Sequence, residues 1–179
     1  MKCDFCKNGC EIEDENRHYC SSCYCRFIEK KVRRFGREGK LFRKGDRIAV
    51  VGELCRYFVK SMTSGLPAKI FYINKFNKEF AKKNKVNKIV IPWTMDDEAV
   101  NFIDSFMSNK KVEKEDLKIV RLLRNVKDDE IAAFCRLKGI KFEKNKKRED
   151  IQQLIDDVNK RCAETKFCIL KSIGQMKGK

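Results

Sequence analysis

Proline, histidine and tryptophan are scarce in this 179-residue chain, with 2, 1 and 1 copies, and no apolar run nears the roughly 20 residues of a membrane span. No membrane association is expected. No secretory segment is visible, so a reducing cytoplasm is the expected location and disulfide pairing is not expected. Acidic residues are also short, with 26 Asp+Glu against 42 Lys+Arg and a formal net charge of +16. Such an excess suits phosphate, because neutralising phosphates releases condensed counterions and steers encounter. A general lysine preference would give the same charge with no nucleic-acid partner. The hydrophobic share of 42% suffices for one compact domain beside a small module.

Cysteine, by contrast, is plentiful at 10 copies. Cys3-x2-Cys6 and Cys20-x2-Cys23 form two pairs split by a short polar loop. Two residues between paired cysteines let both sulfurs reach one ion at about 2.3 Å, and two such pairs complete a tetrahedral structural zinc site. Metal binding then supplies folding free energy that so short a segment lacks. Four thiolates accept iron as well as zinc, so the ligand set leaves the metal open. Two disulfides are the alternative. Cys10, Cys25 and His18 are either alternative ligands or spare groups.

After the second pair, Phe27, Ile28, Val32 and Phe35 fall at helical spacing, and Lys30, Lys31, Arg33, Arg34 and Arg37 take the other face. Gly36 and Gly39 are expected to end that helix. A basic amphipathic helix beside a zinc ribbon suits a phosphate backbone, and a solvated helix face is the alternative. Strands then alternate with helices. Strands are expected at Arg47–Val51, Lys69–Ile73, Lys88–Pro92 and Leu117–Leu122. Between them, Leu54, Tyr57, Phe58 and Met62 mark one helix, and Phe76 with Phe80 a short second. Thr94 is placed to cap a third, with Asp96, Asp97 and Glu98 in its first turn as partners of the helix dipole. Its expected buried stripe is Ala99, Phe102, Ile103, Phe106 and Met107. A fourth helix opens at Asp128 and is capped by Gly139, with Ile131, Phe134, Cys135 and Leu137 inward. A fifth carries Ile151, Leu154, Ile155, Val158 and Cys162. Strands so separated imply a parallel sheet covered on both faces, with ligands bound beyond the carboxyl ends of its strands.

The order of ribbon, basic helix and βα domain resembles the TtcA/TtuA-type tRNA 2-thiolation enzymes and their cytosolic wobble-uridine thiolation relatives. The resemblance is carried by the cysteine pairs running into Phe27, by Thr94-Met95-Asp96-Asp97-Glu98-Ala99, by Val120–Ile140, and by Glu164–Ser172 read as a closing strand. It implies an α/β fold: an N-terminal zinc ribbon over residues 1–25, a basic helix and linker over 26–45, and a small HUP-like, PP-loop ATPase-like parallel-sheet domain over 46–179. Two departures qualify it. Active members carry a Ser-Gly-Gly-x-Asp-Ser loop after the first strand that cradles ATP phosphates, whereas this chain reads Val51-Gly52-Glu53-Leu54-Cys55. Their central and later cluster cysteines are also missing, the later position reading Lys141-Phe142-Glu143-Lys144-Asn145-Lys146. Together these resemble the degenerate partner in the wobble-uridine thiolation pair. The resemblance implies a non-catalytic, zinc-containing tRNA-binding subunit in a heterodimer with an active thiolase paralogue that keeps the PP-loop.

Other residues admit chemistry. Cys55, near a helix N-terminus, suits a persulfide relay or a buried core position, which makes a minimal sulfurtransferase the alternative function. A stand-alone zinc-ribbon RNA binder is another. Cys135, Cys162 and Cys168 read as core. Trp93 suits either base stacking or plugging an unused nucleotide pocket. Lys146, Lys147 and Arg148 form a basic loop, solvated or in contact with RNA.

Overall fold

The structure, a computed structural model, describes residues 1–14, 16–108 and 117–177. The chain opens with a tight turn in which Cys3 N–H donates to Asn8 O at 2.7 Å and Lys7 sits at φ 64°. Strands β1 (Ile12–Asp14) and β2 (Arg17–Tyr19) follow as an antiparallel hairpin in the register Ile12↔Tyr19. Helix α1 (Ser21–Glu38) starts directly after it. The second cysteine pair is therefore a helix start rather than a second free turn, with Cys20 as N-cap and Cys23 in the first turn.

Helix α1 does not stop at Gly36, and Gly39 is its C-cap. The reason is packing. A Cβ on Gly36 would sit 1.9 Å from Met62 Cε, so glycine lets α1 close on the helix across from it. Helix α1 begins inside residues 1–25, so one helix joins the cysteine module to the rest. Its Tyr24, Cys25, Ile28 and Val32 share a hydrophobic core with Tyr19 of the hairpin and with the sheet.

Strands β3 (Arg47–Val51), β4 (Lys69–Ile73), β5 (Lys88–Thr94) and β6 (Lys118–Leu123) form one parallel sheet in the order β4-β3-β5-β6. Val50 pairs with Tyr72 on one side and Val90 on the other. The direction of winding reverses between β3 and β5, which opens the crevice where such sheets take ligands. Pro92 lies in β5 where the register to β6 shifts between Ile91 and Thr94, a bulge suited to a residue without an N–H. Helices α2 (Glu53–Met62), α3 (Lys78–Lys83), α4 (Met95–Met107) and α5 (Asp128–Lys138) make the crossovers and the layer after β6. Thr94 caps α4 in a reciprocal box with Asp97, and Gly139 ends α5 at φ 65°, both as the sequence indicates.

The chain closes with α6 (Glu149–Arg161) and α7 (Thr165–Lys177). The segment expected as a closing strand is helix α7. A short apolar run does not distinguish helix from strand by periodicity. Here Ile169 and Ile173, one turn apart, turn inward, and Ile169 packs on Ala99, Val100, Ile151 and Ile155. Other expectations of burial also fail, because α4, α6 and α7 cover each other only on narrow stripes. Phe106 and Met107 are 74% and 64% exposed, and Leu154 and Val158 are exposed too. Leu137 also meets solvent, and so do the thiols Cys162 and Cys168. No described helix is long and apolar enough to cross a membrane.

Candidate functional site

The tight turn and the start of α1 bring Cys3, Cys6, Cys20 and Cys23 together, with one Sγ from each lying within 4.8 Å of the others. Cys6 and Cys20 sulfurs are 3.5 Å apart. Two contacts hold the turn against the hairpin: Asp4 N–H donates to His18 O at 2.9 Å, and His18 N–H to Asp4 Oδ2 at 2.7 Å. Phe5 stacks on Tyr19 at 4.8 Å between ring centroids. Burial raises the Cys3 thiol, but backbone N–H groups of Cys20, Phe5 and Cys6 outweigh it and bring it down to about 6. The Cys23 thiol, hydrogen-bonded to Cys6 and crowded by its neighbours, is pushed up to about 12. One easy thiolate among sulfurs too close to ionise together is the donor set a divalent cation satisfies. The four residues fit a tetrahedral metal. His18 faces Asp4, Cys10 Sγ donates to Ile12 O, and Cys25 points into the core, so the spare groups stand outside the cluster.

At the carboxyl end of β3 only Gly52, at φ 79°, separates the strand from α2. Glu53 opens α2 and places a carboxylate at the helix N-terminus, where an anion would otherwise be favoured. Cys55 is fully buried, its thiol raised by that burial.

The carboxyl end of β5 is filled by the chain itself. Asn145 donates to Pro92 O at 2.8 Å and to Asp97 Oδ2 at 2.6 Å. Lys147 reaches Asp97 at 2.8 Å and Asp128 at 2.7 Å with its side chain 10% exposed. Lys166 of α7 meets Asp96 at 2.5 Å and Asp156 at 2.7 Å. Trp93 donates to Glu98 Oε2 at 2.9 Å while Arg121 lies over its ring, 5.0 Å from the centroid. Glu98 also meets Arg121 and Arg124 at 2.6 and 3.1 Å. The acidic first turn of α4 thus has a dipole role, as the sequence indicates, and a second role in a buried ion network. Trp93 is committed to that network.

No family model and no curated protein matches the chain. Among solved structures it is similar to the U34-tRNA thiolase NcsA from Methanococcus maripaludis, which was solved with its 4Fe-4S cluster. The TM-score is 0.74 at 13% identity, over 98% of this chain and 87% of that one. The fold is shared with a tRNA thiolase. The expected architecture, a cysteine module ahead of a small parallel-sheet α/β domain, is therefore observed.

The basic residues singled out from sequence separate into different settings. Lys30, Arg33 and Arg37 are exposed and line one groove with Arg26 and Lys40. Lys31 turns instead to Glu130 at 2.7 Å, and Arg34 pairs with Glu38 at 2.8 Å. Lys146 is exposed, Lys147 is buried in the ion network, and Arg148 is shared between Asp104 and Asp150 at 2.8 and 2.5 Å. Lys147 turns its ammonium to Asp97 and Asp128 rather than to solvent. Sequence reasoning missed Arg26 and Lys40; the signal was their spacing of four and three residues from Lys30 and Arg37.

Proposed function

We propose that this chain is a non-catalytic, metal-bearing tRNA-binding subunit in the 2-thiolation of wobble uridine, working in the cytoplasm with an active thiolase paralogue. The observation that carries the reading is the junction of β3 and α2. One residue, Gly52, spans it, and Glu53 puts negative charge at the helix end where a triphosphate would need N–H groups and no competing carboxylate. The shared fold supplies the thiolation context, and the net charge of +16 supplies affinity for RNA. Exposed Phe106, Met107, Leu154, Val158 and Phe167 offer a partner apolar surface on α4, α6 and α7. The Cys3, Cys6, Cys20 and Cys23 cluster is read as a structural zinc site. Burial of Cys55 gives a persulfide relay there no support.

The test is purification of the tagged chain from its native cells with protein and RNA identified together. The expected result is co-recovery of tRNA and a thiolase bearing an intact Ser-Gly-Gly-x-Asp-Ser loop. The chain alone, given tRNA, should release no AMP or pyrophosphate from ATP; release would overturn the non-catalytic reading.

A further inference from the structure

Arg26, Lys30, Arg33 and Arg37 follow one another along α1 at intervals of four, three and four residues, and Lys40 continues the line in the turn beyond Gly39. That alternation keeps all of them on one helical face. At 1.5 Å per residue the line runs about 20 Å in steps of about 5 Å, comparable to the separation of successive phosphates along a nucleic acid strand. The whole line borders a groove of about 860 Å³ between α1 and the turn that follows α2.

The groove is short of internal anions. Among the described residues its one acidic lining residue, Glu29, is engaged by Tyr57 Oη at 2.5 Å, Lys138 at 3.3 Å and Arg33 at 3.3 Å. Among the described residues, Arg26, Lys30, Arg37 and Lys40 have no carboxylate partner. Like charges one helical turn apart repel, so the line is destabilising to the free chain and is relieved by a matching row of anions. Across the groove, Ser64 and Gly65 are exposed, with Gly65 at φ 78° and open space where a side chain would stand. Half-buried Phe42, Met62 and Leu66 supply an apolar floor. A concave channel with a row of cations on one wall, small polar groups on the other and an apolar floor matches a single sugar–phosphate strand. A planar lipid surface would not enter it.

We infer that this groove takes one strand of RNA, with phosphates along Arg26, Lys30, Arg33, Arg37 and Lys40 and the ribose or base faces over Phe42 and Leu66. The inference rests on the tRNA reading above and deepens it by assigning the contact surface. The test uses the full chain, an unmodified tRNA transcript and binding measured across a salt series. The triple variant Arg26→Ala/Lys30→Ala/Arg37→Ala should lower the slope of log K against log salt by about two, from about 0.7 per phosphate released on a single strand. Lys78→Ala/Lys82→Ala/Lys83→Ala on exposed α3 removes equal charge and should leave the slope unchanged. Thermal melts matched to wild type exclude misfolding. Equal slope changes in both variants, or none in the α1 variant, would overturn the groove while the tRNA reading stands. A wild-type chain that binds no tRNA overturns the tRNA reading and the groove with it. Binding to phosphatidylserine vesicles, lost only in the α1 variant and with no RNA binding, would assign the groove to a membrane and overturn the inference.

Discussion

Neighbouring lysines show how far a side chain's setting outweighs its type. Lys147 is buried against Asp97 and Asp128, whereas Lys146 stands in solvent. Removing one partner of a buried pair leaves an uncompensated charge and costs about 3–5 kcal/mol. Lys147→Met should therefore lower stability by about that amount, and Lys146→Met should stay within about 0.5 kcal/mol of wild type in urea titrations. Equal effects would refute the buried network. The pH profile follows from shifts of opposite sign. Burial raises the Asp46 carboxyl, but the Lys88 ammonium at 2.6 Å and other donors outweigh it and hold it below the ordinary 3.8. Its contribution is present above that value and lost as pH falls through the lower folded one. Burial lowers the Lys147 and Lys166 ammonium groups, but their carboxylate partners outweigh it and hold them above the ordinary 10.5. Their contribution is present below that value and lost as pH rises through the folded one. These pairs should contribute a fall in the urea midpoint below about pH 4 and another above about pH 10. A midpoint still rising above pH 10.5 would contradict the lysine assignments.

At the scale of elements, the cysteine module is joined to the domain by α1 and by a core that runs from Tyr19 through Tyr24 and Ile28 to the sheet. Loss of its metal should therefore loosen the whole chain in one transition. A metal present at about 1,000 times its Kd contributes about 4 kcal/mol, which for a chain of this size shifts Tm by about 10 °C. Chelation, or Cys23→Ser, should lower Tm by that order in calorimetry. Two separated transitions would show that the module folds on its own. The elements legible in the sequence were those with local signals: the Thr94 cap, the Gly139 stop and the β-rich runs of β3, β4 and β5. Gly36 misled because its reason is the side chain of Met62, which belongs to another helix. Helix α7 misled because Glu164–Ser172 resembles a strand, whereas the edge it would join is not where α4 and α6 leave an apolar stripe to cover.

For the whole molecule, net charge suits an anionic partner and the cysteine spacing suits a metal, while the winding of the sheet decides what a nucleotide could meet. The crevice between β3 and β5 ends at Gly52 and Glu53 on one side, and the neighbouring end of β5 carries Asn145 and Lys147 from a loop 53 residues after Pro92. No local pattern reports that return, because it depends on distant segments meeting after the sheet has formed. The groove along α1 is similar: its cations lie in plain sequence order, but only the turn after α2 makes them one wall of a channel.

The parallel α/β order, the four cysteines that gather at one point and the short Gly52-Glu53 junction were legible in the sequence, because each depends on residue type and spacing along the chain. Tertiary structure alone decided which cations remain free. Lys31, Lys147 and Lys166 meet carboxylates brought in from elsewhere, while Arg26, Lys30 and Arg37 meet none among the described residues, and a charge's partner is set by position in space.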